Sequence, residues 1–185
     1  MKKRALCALV SLALCFTLAG QAAAAESGVS FVVDGVTLTT QVPNQVVDET
    51  TYVAYWPIVQ ALYPEATAVW RNGQAEVEAD GLSLHIKPGA KYIEANGRYL
   101  YVPDGVKSDG CNILVPVRVL CKALGAGVTW DSAACAIRIT SGSGPIVSGD
   151  EYYQADVVYW LSRIINAESG NQPLSGKIAV GNVVM

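Results

Sequence analysis

The sequence predicts an α+β fold: a duplicated unit of β-hairpins and one short helix, then a linker, then the first helices of a mainly α segment. Three observations carry this. Thr50 to Leu62 (TTYVAYWPIVQAL) recurs as Asn112 to Leu124 (NILVPVRVLCKAL) at an offset of 62 residues. A Gly/Ser run, Ser141 to Pro145, then interrupts the pattern. From Tyr152 onward the apolar residues follow a helical period instead.

Residues 1–25 stand outside the fold. Lys2, Lys3 and Arg4 precede an apolar run from Ala5 to Ala19, and Gln21 to Ala25 supplies the small residues of a cleavage site. That order is a secretory signal peptide. Its apolar core of about 15 residues is short of the roughly 20 that span a bilayer. Leu14 precedes Cys15 where a lipoprotein site carries a small residue. The expectation is therefore export, with no stable membrane anchor after cleavage.

Removing the signal leaves ten Lys plus Arg against sixteen Asp plus Glu, a net charge of −6. Nucleic acid, a polyanion, is disfavoured as a partner. The overall hydrophobic fraction of 51% is partly the signal and is not read as membrane character. Cys111, Cys121 and Cys135 remain. They are either small apolar fillers or one disulfide plus a free thiol, in which case Cys121–Cys135 is the first choice. One histidine, His85, and no Cys-x-x-Cys leave no metal-ligand spacing, so neither metal nor cofactor is predicted.

The first repeat spans about residues 29–86 and the second about 92–139. Asp34-Gly35 and Asn96-Gly97, again 62 apart, are hairpin turn dipeptides that tolerate positive φ. An extended stretch and a short helix follow in each. In the second repeat Val117, Leu120, Cys121 and Leu124 fall at i, i+3, i+4 and i+7, one helix face. Gly125 ends that helix without a Cβ penalty. A second hairpin turns at Arg71-Asn72-Gly73 or Asp131-Ser132-Ala133, flanked by the β-branched Val69, Val77, Val128, Ile137 and Ile139. Together the repeats make one domain, residues 29–140.

Residues 114–139 carry a Val-Pro-x-Arg entry at Val115, Pro116 and Arg118, a helix ending Ala-Leu-Gly-Ala at Ala123 to Ala126, and a Trp130-Asp131 hairpin. This resembles the repeat named after the N-terminal domain of copper amine oxidase. Gly35, Tyr52, Val53 and Trp70 carry a degraded version in the first repeat. The resemblance implies a non-catalytic module of exported bacterial proteins, a stalk or wall-associated domain. It does not imply copper, for which one histidine is no site.

Within this domain Tyr52, Tyr55, Trp56, Tyr63 and Trp70 are candidates for a sugar-stacking surface. Trp70 and Trp130 are nevertheless read as core anchors, because aromatics carry large buried area. Tyr92, Tyr99 and Tyr101 have strand spacing and face solvent or sugar. His85 alternates with Leu84 and Ile86 and is placed on the solvent face. Arg118 is expected to pair with Asp131.

Residues 141–151 read as a flexible interdomain linker, from Gly, Ser and Pro content. Beyond it Val157, Leu161, Ile164 and Ile165 form a helical apolar face, and Glu168 arrives on that face at i+11. Burial there would raise the carboxyl pKa and keep a proton for general acid chemistry. The bland alternative is an ordinary helix-end carboxylate. Gly170 and Pro173 break the helix, and a second apolar run follows from Ser175.

Ala167, Glu168, Ser169, Gly176, Lys177, Ala179, Val180 and Val183 match an Ala-Glu-(Ala/Ser), Gly-turn, Gly-(Lys/Gln)-x-Ala-Val pattern. Residues 157–185 are thereby similar to the opening of a bacterial cell wall hydrolase family that includes spore-cortex-lytic enzymes, and the domain so begun is placed at residues 152–185. The resemblance implies a mainly α hydrolase domain acting on peptidoglycan, with Glu168 as its catalytic acid. Glu168 would protonate the oxygen of the muramic acid to glucosamine bond. In a lytic transglycosylase route the muramic C6 hydroxyl then attacks C1, giving a 1,6-anhydro product.

Ordinary hydrolysis needs a second carboxylate about 5–10 Å away. Asp156, twelve residues earlier, is roughly 18 Å along a helix. The family continues well past the position of Met185, so the 185 residues are expected to be an incomplete, inactive fragment, and the protein to be secreted or wall-associated. Two other readings stay open: a non-catalytic wall-binding or stalk protein with a vestigial tail, and an N-acetylmuramoyl-L-alanine amidase.

Overall fold

The computed structural model describes residues 29–40 and 42–184; the segment expected to be a signal peptide, residues 1–25, lies outside them. The architecture is α+β, with three sheets and short helices. No helix among the described residues is long and apolar enough to cross a membrane.

The first repeat begins with the hairpin β1 (Ser30–Val33) and β2 (Val36–Leu38). Its turn is Asp34-Gly35, with φ of 47° and 83°. Two consecutive positive φ values define the primed turn that matches strand twist. A second hairpin, β3 (Gln45–Val47) and β4 (Thr50–Ala54), leads into helix α1 (Tyr55–Leu62). Strands β5 (Thr67–Arg71), β6 (Gln74–Ala79) and β7 (Leu82–Ile86) then run as a meander.

The second repeat follows the same order. Strands β8 (Tyr92–Ala95) and β9 (Arg98–Tyr101) turn at Asn96-Gly97. Next come β10 (Lys107–Ser108), β11 (Ile113–Pro116), helix α2 (Val117–Ala123), β12 (Gly127–Asp131) and β13 (Ala136–Thr140).

The repeats are interleaved rather than set side by side. In the central sheet, ordered β10-β11-β4-β3, the strand entering each helix pairs with its equivalent from the other repeat. The register sets Val115 opposite Val53, Leu114 opposite Ala54 and Pro116 opposite Tyr52. Val53 and Val115 are the same position of the two repeats, so a pseudo-twofold axis passes between them. The outer sheets also mix the repeats. One is β12-β13-β1-β2, closed by a parallel pairing of β1 with β13; the other is the antiparallel β5-β6-β7-β8-β9. Strand β7 interrupts the symmetry: it lies between β6 and β8, whose counterparts β13 and β1 pair directly.

One continuous core joins all of this. Helix α2 buries Val117, Leu120, Cys121 and then Leu124, the face predicted from spacing, while α1 buries Ile58 and Val59. The Tyr63 hydroxyl donates to the Leu124 carbonyl at 2.8 Å, so the end of α1 satisfies an orphan carbonyl at the end of α2.

Residues 141–149 do not hang free; Gly and Ser serve close packing there. Ile146 is buried and its N–H donates to the Ala123 carbonyl at 3.2 Å. The Asn96 amide donates to the Gly81 and Ile146 carbonyls at 2.7 and 2.8 Å, while its oxygen accepts from Ser83 N–H. Gly149 N–H donates to the Asn96 carbonyl, and Ser141 N–H to Asp34 Oδ1 at 2.9 Å. At Gly125, with φ of 67°, a Cβ would collide with the Gly144 carbonyl. Past this strap come α3 (Gly149–Tyr152), α4 (Ala155–Ser169) and α5 (Leu174–Val184). The Arg98 guanidinium carbon lies 3.4 Å from the Tyr152 ring centroid, a cation–π stack joining α3 to the domain.

Candidate functional site

Glu168 occupies the last turn of α4, just before the corner into α5. Its side is exposed, not buried as the helical count suggested. Leu161 and Ile165 instead line a shallow cleft with Leu174, Ile178 and Gly181 of the following helix. A Cβ at Gly181 would lie 3.2 Å from Ile165 Cδ1, so a glycine there allows the close approach. Continuing that stripe by four residues reaches Ser169, which is buried, its hydroxyl donating to the Ile165 carbonyl at 2.8 Å. Val157 and Ile164, on the Glu168 side of the stripe, stay 43% and 40% exposed.

The Ala-Glu-Ser segment therefore turns its serine inward and its carboxylate outward. Glu168 lines neither of the two clefts beside α4. Asp156 sits in the first turn of the same continuous helix, so the two carboxylates of this segment lie at opposite ends of it.

Two tryptophans overturn the core-anchor expectation: Trp70 is 63% exposed and Trp130 51%. Each is on the core-facing side of its strand, as its cross-strand partners show. Trp70 pairs with Ala75 and Trp130 with Ile137, both buried. But β5 and β12 are sheet edges, and both overhang the rim of the core. Each tryptophan consequently borders a surface cleft. One, of about 410 Å³, includes Glu49, Thr51, Arg118, Thr129 and Trp130. The other, of about 310 Å³, includes Tyr55, Trp56, Trp70 and Asn112. Sequence periodicity locates a strand's face; it does not show how far the core extends beneath it.

Other expectations are corrected locally. Asp131 pairs with Arg138, not Arg118: Arg138 Nε and Nη2 donate to Asp131 Oδ2 at 2.8 and 2.6 Å. Asp131 lies opposite Ala136 in the ladder, so Arg138 is its diagonal neighbour on the same face. Those bonds, with the backbone N–H groups of Ala133 and Ala134, hold the Asp131 carboxyl below its usual range. Cys121 is fully buried and Cys135 exposed, and both are free thiols, as is Cys111, so the Cys121–Cys135 bond is not formed. Burial pushes the Cys121 thiol up to about 12.

Donors for a transition metal are sparse. His85 is half-buried on β7, with Nδ1 3.7 Å from Glu94 Oε2 on β8. The described residues contain no grouping of three or more His, Cys, Asp or Glu side chains able to hold an ion. A single imidazole beside a carboxylate does not fit copper, which favours sets of imidazole and thiolate ligands.

Comparison with known proteins yields no matching curated protein and no matching solved structure. Residues 32–139, however, match the family model of the copper amine oxidase N-terminal domain. The match covers more than half of the 185 residues and contains the helix-entry strands and all three sheets except Ser30 and Phe31 of β1 and Thr140 of β13. On that ground the chain belongs to the copper amine oxidase N-terminal domain family.

Proposed function

We propose that this is an exported peptidoglycan-cleaving protein in which residues 29–140 form a non-catalytic wall-associated module and Glu168 is the general acid. The observation carrying this reading is the outward turn of Glu168 at the α4–α5 corner, while Ser169 beside it is locked inward. A general acid must reach the leaving oxygen of a bulky polymer, which demands an accessible carboxylate. Glu168 would then protonate the glycosidic oxygen. With Asp156 a full helix length away, the muramic C6 hydroxyl serves as the internal nucleophile: its oxygen bonds to C1 as the protonated leaving oxygen departs, and its proton passes to the now-ionised Glu168 carboxylate, giving a 1,6-anhydro product without a second carboxylate.

The test is mass analysis of muropeptides released from purified sacculi by the longest translated product containing these residues. Anhydro-muropeptides that disappear in Glu168→Gln support the reading. Equal turnover by Glu168→Gln overturns it, and free stem peptides would assign an amidase instead. A second reading, a wall-binding module without catalysis, is favoured by the overhanging tryptophans; it predicts sedimentation with walls and no released products.

A further inference from the structure

The two tryptophan clefts are one site built twice. Shifting the first by the repeat offset of 62 residues carries its rim onto that of the second, Glu49, Thr50 and Thr51 becoming Cys111, Asn112 and Ile113, while Trp70 and Trp130, 60 residues apart, correspond once two residues are dropped. Arg118, at the start of α2, becomes Trp56, at the start of α1. Each cleft is thus composite, its rim from one repeat and its tryptophan and helix start from the other. The β4–β11 ladder across the pseudo-twofold axis brings these halves together.

We infer that these clefts are paired binding subsites for an uncharged polysaccharide, each taking one or two pyranose rings. Three features select this ligand. Each cleft offers a broad, exposed indole beside hydrogen-bonding groups, which suits a ring with an apolar C–H face and a hydroxyl edge. In the first cleft Glu49 and Arg118 carry opposite charges and join no ion pair among the described residues. Their charges offset, and hydroxyls can donate to the one and accept from the other. A proline-rich peptide also stacks on aromatics, but prolines have no N–H to give Glu49. Finally, a duplicated cleft suits a ligand that repeats, because two weak subsites on one polymer act by avidity.

The backbone at the first rim fits this role. The β3–β4 turn is Asp48-Glu49, both left-handed at φ of 44° and 62°, where a glycine would be easier. That strained turn puts a carboxylate on the cleft rim, and strain of this kind gathers at functional sites.

The inference is carried by residues 49–137 and does not depend on Glu168. Its test is a titration of the full chain with cellohexaose and with chitohexaose, followed through the indole N–H resonances. The protein has four tryptophans. Trp70 and Trp130 should shift saturably with at least one sugar, whereas Trp160, exposed on α4, should stay fixed as an internal control. Trp70→Ala and Trp130→Ala should each silence its own cleft and leave the other responsive. The double variant should lose about tenfold or more in affinity. Both side chains are exposed, so an unchanged melting curve certifies the variants. Glu168→Gln should bind as the parent does, so failure of the catalytic reading would leave this one standing. The inference is overturned by an absence of saturable shifts with both sugars. Undiminished binding in the double variant, an equal shift of Trp160, or displacement of the sugar by a proline-rich decapeptide would each overturn it as well.

Discussion

Gly125→Ala would test whether the strap at residues 141–149 is part of the folded domain. The substitution meets two obstacles. Gly125 has φ of 67°, and a residue with a Cβ pays about 1–2 kcal/mol in that region. The new Cβ would also collide with the Gly144 carbonyl, and Gly142 is pressed on the Gly125 carbonyl from the same strap. Backbone on both sides leaves no flexible side chain to yield, so the strap must lift.

Lifting it breaks two hydrogen bonds, Ile146 N–H to Ala123 and Asn96 to the Ile146 carbonyl, each worth about 1 kcal/mol net. It also returns the buried Ile146 to water, at about 1.5–3 kcal/mol. Chain entropy regained by the freed strap opposes these losses, so the expected net loss is a few kcal/mol and larger than that of a glycine with open space around it. Gly35→Ala is the control: φ is 83° but nothing lies within 4 Å of the new Cβ, so about 1 kcal/mol is expected. Urea denaturation of both variants measures the difference. Proteolysis should cut the Gly125→Ala strap near Gly144 and spare the control. Equal losses in the two variants, with the strap still protected, would refute the packing account.

Cys121 makes the domain alkali-sensitive. Its thiol is pushed from 9.0 to about 12 by burial, so its contribution is complete below pH 9 and declines as pH rises toward 12. The loss is on the order of 2–3 kcal/mol between pH 9 and 11, and Cys121→Ala should flatten that part of the stability–pH curve. Under native conditions a thiol reagent should label Cys111 and Cys135 quickly and Cys121 only on unfolding; three fast thiols would contradict the burial. Glu49→Gly should raise stability by up to about 1 kcal/mol by relieving a left-handed glutamate, seen as a higher melting temperature, while weakening sugar binding in the Trp130 cleft. A lower melting temperature would show that Glu49 makes a stabilising contact.

What the sequence reveals and conceals here follows from range. The α2 face and the Asp34-Gly35 and Asn96-Gly97 turns are legible because their physics is local. The offset of 62 is legible too, and with it the equivalence of Val53 and Val115. Their direct pairing is not, because periodicity in one strand says nothing of which strand lies beside it. Strand periodicity misplaces the tryptophans for a similar reason: only the assembled sheets show β5 and β12 at the edges, with Trp70 and Trp130 exposed. Periodicity puts Glu168 on a broad apolar side of α4, but only Leu161 and Ile165 border the cleft against α5, and only Ser169 on that stripe is buried. Composition misjudges the strap, since glycines that permit freedom in one setting permit contact in another.

The interleaving also governs how the domain can form. Strand β1 finds β13 only after more than one hundred residues have been made, and β4 must find β11 across some sixty. Neither repeat holds a finished sheet by itself, so the pair behaves as a dimer whose two halves happen to share a chain. The short span from Lys87 to Lys91 turns their encounter from a bimolecular event into loop closure, whose entropy grows only slowly with length. Such non-local pairing makes for slow folding. It also opens a second route: at high concentration the first repeat of one chain can meet the second repeat of another, and the same contacts that complete the monomer would then link two copies.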